Sequence, residues 1–182
     1  MKSKQHTSLI FLFAVTILVM SSIVVKSTTN TAFADDKILS DNQIGYISQY
    51  CDSIKSSLKR LAVSDSRTRT YFGGIYETAS SKFITPLNLR LVKNNLSNPD
   101  LIDLQSSYAE TRANFSLDFI AYSKTLEELT TMDCKNEPEE FYRKLESARS
   151  KREKVKNDLI SINELLESHI STVNELKEAL DE

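Results

Sequence analysis

The sequence predicts an all-α protein, an elongated antiparallel three-helix up-down-up bundle with coiled-coil-like packing, preceded by an N-terminal signal or anchor helix. The strongest sign is at the C-terminal end. From Phe141 the positions 145, 148, 152, 155, 159, 162, 166, 169, 173, 176 and 180 follow in steps of four and three, and only Arg152 and His169 among them are strongly polar. A narrow seam of that period marks a helix laid along partners, with its other faces in water. Two earlier stretches repeat the pattern. No stretch alternates with period two over a useful length, which leaves no place for a sheet.

The chain opens on Lys2 and Lys4, an apolar run over residues 9–25, and Ala32-Phe33-Ala34 before Asp35. That charged, apolar, small-x-small order predicts a signal peptide over 1–34, cut between Ala34 and Asp35. The same run, left uncut, would be a membrane anchor, and residues 9–25 would then be the chain's one membrane contact. The leader holds Lys2, Lys4 and Lys26 of the 23 basic residues and none of the 25 acidic ones, so the remainder has 20 against 25, a net charge of −5. A mildly acidic domain with interspersed charge has no electrostatic case for binding nucleic acid.

Residues 35–39 read as a linker and 40–182 as one helical domain. Ser40 with Gln43 is a capping-box start. Ile44, Ile47, Cys51, Ile54, Leu58 and Leu61 form the first seam, and Asp65, Thr68, Phe72 and Ile75 keep its phase through the polar stretch 64–74. Tyr76, Ala79 and Phe83 extend an apolar face, and Pro86 predicts a kink near 84–86 in a helix that otherwise runs over about 40–93. Asn94 to Pro99 is the turn, with Asn98 as cap and Pro99 at the first helical position. The second helix, 99–132, carries Leu101, Leu104, Tyr108, Thr111, Phe115, Phe119, Tyr122, Leu126 and Leu129, with an extra step of four at Phe119 that shifts its seam. Pro138-Glu139-Glu140 begins the third helix, 138–181.

Folding the first two helices about Leu96 brings Cys51 and Cys134 near one end, so a Cys51–Cys134 disulfide is predicted in an oxidising compartment. Setting residue 135 level with Cys51 then brings Arg152 level with about residue 68, within one turn of Asp65. Both are charges at seam positions, so they are read as a buried polar layer that fixes register, with Arg67 and Tyr122 as further members. On the same ruler His169 falls beside Pro86, where its imidazole is expected to bond carbonyls freed by the kink. Tyr71, Phe72, Tyr76, Phe83, Phe115, Phe119 and Tyr122 are read as an aromatic core.

No cofactor or metal is predicted, and no catalytic residue. Three glycines give no phosphate loop, no Gly-x-Ser-x-Gly elbow occurs, and no His or Cys has a ligand at metal spacing. The pair Gly73-Gly74 with Arg69 and Tyr71 is the least ordinary stretch. Two adjacent helical glycines each cost about 1 kcal/mol relative to Ala, and either close approach within the chain or a contact surface for a partner is the expected reason. The functional expectation is a non-enzymatic exported module of the cell envelope or extracellular space, serving structure or protein interaction. Its partner is another envelope or extracellular protein, or a second copy of the chain. The alternative is an extracytoplasmic ligand-sensing or small-molecule-binding bundle, with a cavity at Pro86, His169 and the aromatic cluster.

Overall fold

A computed structural model of the protein describes residues 39–181; the expected leader, with residues 9–25 and the Ala34–Asp35 junction, lies outside the described residues. The described chain is helical and contains no strand. In order, it forms α1 (Asp41–Gln49), α2 (Cys51–Thr78), a π-helical turn (Ala79–Ile84), α3 (Thr85–Lys93), α4 (Pro99–Thr131) and α5 (Pro138–Asp181). The start is as the sequence suggests, with the Ser40 amide donating to Gln43 Oε1 at 3.0 Å. A break at Tyr50 was not expected. It interrupts the helix for one residue, while the Ile54 amide still donates to the Tyr50 carbonyl at 2.9 Å. α2 passes through 64–74 without interruption.

The irregularity attributed to Pro86 is a widened turn rather than a break, and it lies upstream of the proline. Pro86 has no N–H to return to the preceding turn and its ring crowds the carbonyl four residues back, that of Lys82. The six residues before Thr85 accommodate this by π-type pairing, in which the Thr85 amide donates to the Ser80 carbonyl, five residues back. The extra residue moves the buried stripe along by one. Phe83, expected on the apolar face after Tyr76 and Ala79, is 66 % exposed, and its neighbour Ile84 is 2 % exposed.

The turn that follows closes as a Schellman motif, with the Leu96 amide donating to the Leu91 carbonyl at 2.9 Å and the Asn95 amide to Val92 at 3.1 Å. It places Asn95 at φ 56°, a left-handed conformation that asparagine tolerates better than most residues. Asn98 Oδ1 then caps α4 by accepting from the amides of Asp100 and Leu101.

Side-chain bonds fix how the helices run. Lys55 Nζ donates to the Met132 carbonyl, the Tyr122 hydroxyl to Asp65, the Tyr108 hydroxyl to the Tyr76 carbonyl, and Asn88 Nδ2 to the Leu101 carbonyl. These pairs step down α4 as they step up the first strand of helices, so the two are antiparallel. Lys144–Glu128, Lys151–Thr125 and Lys154–Asp118 make α5 antiparallel to α4. In α4 the buried positions include Leu101, Tyr108, Phe115, Tyr122 and Leu129, and in α5 they are Phe141, Ala148, Val155, Ile162 and His169, each series in steps of seven. The steps of seven run unbroken past Phe119, and the positions expected after the extra step of four also face the core, Leu126 buried and Phe119 packed against it.

Cys51 and Cys134 are joined, with Cα atoms 5.5 Å apart and 83 residues of sequence separation. The bond ties the start of α2 to the turn between α4 and α5. A closed loop of that size should stabilise the fold by about 4–5 kcal/mol in the chain-entropy account. Converting both cysteines to serine should therefore leave the helical circular-dichroism signature intact at low temperature and lower the melting temperature by well over 5 °C. Identical melting curves for the two forms would contradict that role.

Candidate functional site

The charged residues predicted at seam positions meet halfway along the bundle. Arg152 Nε donates to Asp65 Oδ2 at 2.8 Å and a second guanidinium nitrogen to Oδ1 at 3.2 Å, while the Tyr122 hydroxyl donates to Oδ2 at 2.7 Å. Burial pushes the Asp65 carboxyl up, but the hydrogen bonds from Arg152 and Tyr122 outweigh it and hold the group below its ordinary value. Tyr122 is displaced upward, by burial first and then by the bond to Asp65. Arg67 is not a member. Two residues beyond Asp65 it has turned about 200° around the helix and is exposed.

Around this layer α2 and α5 stand apart. No Cα of α2 comes within 8 Å of one of α5, and polar side chains bridge the gap. Above the layer the gap opens into a cleft of about 270 Å³, floored by Phe115 and Phe119 of α4 and walled by Phe72 on one side and Val155 and Leu159 on the other. Arg69 also lines it. Its guanidinium carbon sits 5.8 Å from the centroid of the Phe119 ring, and its buried Nε has no hydrogen-bond partner.

His169 lies beside Pro86, as the ruler implied, and the two line a second recess of about 350 Å³ with Phe83, Arg90 and Ile170. The expected bonding to freed carbonyls is absent: His169 Nε2 is buried without a partner, and burial lowers the imidazole's proton affinity. The aromatic cluster is therefore divided. Tyr76, Phe115 and Tyr122 are core, Phe72 and Phe119 line the cleft, and Tyr71 and Phe83, read as core, are each 66 % exposed. The cause differs between them: Phe83 is rotated outward by the π turn, and Tyr71 precedes the seam residue Phe72.

The glycines have no packing role within the chain. A Cβ built on Gly73 or Gly74 meets nothing within 4 Å, so close approach of a neighbouring element does not explain them. Gly74 lies beside Tyr71, Ile75 and Phe83 on an exposed face, while the half-buried Gly73 lines a neighbouring recess with Arg69, Glu77 and Arg112. Among the described residues no three His, Cys, Asp or Glu side chains group as a metal site, and no helix is long and apolar enough to cross a membrane. No protein-family model, curated protein or solved structure matches the chain.

One acidic pair was not legible. Asp158 on α5 faces Asp118 on α4, its buried Oδ2 has no hydrogen-bond partner, and burial followed by the Asp118 charge pushes the Asp158 carboxyl up. A raised carboxyl contributes stability below its unfolded value and loses it as pH rises through the folded one. Asp158→Asn should accordingly raise the melting temperature at pH 7, with the gain shrinking as pH falls into the ordinary carboxylate range. An undiminished gain at the lower pH in thermal melts would sink the assignment.

Proposed function

We propose that the chain is an exported, non-enzymatic bundle of three rods running up, down and up, which serves as a structural or protein-interaction module in the cell envelope or extracellular space. The disulfide supports the compartment, since such bonds persist in oxidising surroundings and are rare in reducing ones. The observation that carries the interaction role is the face of Tyr71, Gly74, Ile75 and Phe83. It combines large exposed apolar side chains with a glycine whose cost in helix stability is offset by no contact inside the chain. A partner helix or strand laid there approaches the backbone closely at Gly74 and buries the aromatic rings. A second reading, a small-molecule-binding bundle, is favoured by the recess between Pro86 and His169.

The glycines allow stability and binding to be read separately. Gly73→Ala with Gly74→Ala should stabilise the folded chain by about 1–2 kcal/mol through helix propensity alone. In cells carrying a photo-crosslinking residue at Phe83, the same double change should cut the crosslinked product several-fold, while a probe at exposed Leu117 should give no product in either background. Higher stability with undiminished crosslinking would remove this face as the interface.

A further inference from the structure

We infer that the cleft above the Asp65–Arg152 layer binds a small, flat aromatic monoanion, with an aromatic carboxylate as the fitting chemistry. This rests on the small-molecule reading but places the ligand some way from the Pro86–His169 recess, in a site of different construction. The shape comes from the separation of α2 and α5 over a continuous floor on α4. Phe72 and Leu159 face each other across that gap, with the Phe115 and Phe119 rings beneath. A slot bounded by aromatic faces and aliphatic side chains takes a planar ring, because offset-stacked and edge contacts reward it and a bulky saturated body would not enter.

The charge comes from counting what is already paired. Asp65 holds Arg152 by two hydrogen bonds, and Lys156 holds Glu153 at 2.7 Å, so each carboxylate on the lining has its cation. Arg69 is the remainder. It pairs with no acidic side chain among the described residues, its guanidinium is held over the Phe119 ring, and its Nε is buried without an acceptor. An unmatched buried donor is costly, and an acceptor carried in by a ligand would relieve that cost. Guanidinium prefers a planar, two-oxygen acceptor, which is why a carboxylate fits better than a halide or an alcohol. The Tyr122 hydroxyl and Asp65 are occupied with each other and form the closed end of the slot.

The test uses 2-naphthoate as probe and 2-naphthalenemethanol as its uncharged counterpart, titrated into the uniformly 15N-labelled protein with amide shifts read by NMR. The acid should give saturable shifts centred on residues 65–72 and 152–159. Arg69→Gln should weaken the acid about tenfold, the equivalent of one charge-assisted hydrogen bond, and leave the alcohol within about twofold. Leu159→Trp, which fills the slot, should abolish shifts from both. Equal weakening of acid and alcohol by Arg69→Gln would overturn the anion assignment. Shifts centred on 82–90 and 169–174 would overturn this site while keeping the small-molecule reading, and no saturable shift at millimolar probe would overturn both.

Discussion

Three side-chain bonds from the first rod, two to α5 and one to the turn that leads into it, share one separation. Ser48 to Lys135, Asp65 to Arg152 and Tyr76 to Asn163 each join residues 87 apart. From Ser48 to Tyr76 is 28 residues, about 42 Å of helix, so two parallel rods keep step over that whole length without slippage. α2 and α5, whose Cα atoms nowhere come within 8 Å of each other, have no backbone reason to do so. The register is imposed from outside, by the disulfide at one end, the Asp65 layer in the middle, and α4, which packs against both.

α4 is suited to that task because its buried positions recur every seven residues, as do those of α5. Two such series lock by knobs-into-holes packing and admit slips only in whole heptads. Burying a Phe or Leu side chain contributes about 1.5–3 kcal/mol, but a heptad slip would bury similar groups again and so costs little in apolar terms alone. Charge makes the difference. Slipping α5 by seven residues would leave the partly buried Asp65 with the Tyr122 hydroxyl and no cation, a penalty that the correct register avoids. The layer adds modest stability at a half-exposed Arg152, and its larger effect is to exclude the alternatives.

The parts legible in the sequence are those that depend on period and on length along a rod. The limits of α4 and α5, the Cys51–Cys134 pairing and the meeting of Asp65, Tyr122 and Arg152 all follow from steps of three, four and seven plus a rise per residue. The assumed offset, Cys51 level with residue 135, was three residues short of the observed 87, within the reach of an arginine side chain. What was not legible depends on local geometry. Pro86 widens the helix upstream of itself, and nothing in the residues 79–84 announces a π turn, so the sequence pattern points to Phe83 as core where the structure buries Ile84. Gly73 and Gly74 look alike in sequence whether they admit a neighbour or face open space. Arg67 was read into the layer from nearness along the chain, which a rotation of about 100° per residue does not respect.

The claim that one register holds all three rods is tested most directly by carbodiimide cross-linking of the oxidised protein with peptide mass spectrometry, since this reagent joins only carboxylates and amines already in contact. The structure predicts Asp52–Lys135 at the disulfide end, Glu128–Lys144 next to it and Asp118–Lys154 towards the middle. A heptad slip of α5 would place a serine, Ser147 or Ser161, opposite Asp118, and the third product would then be missing. Its absence, with the first product retained, would contradict the account.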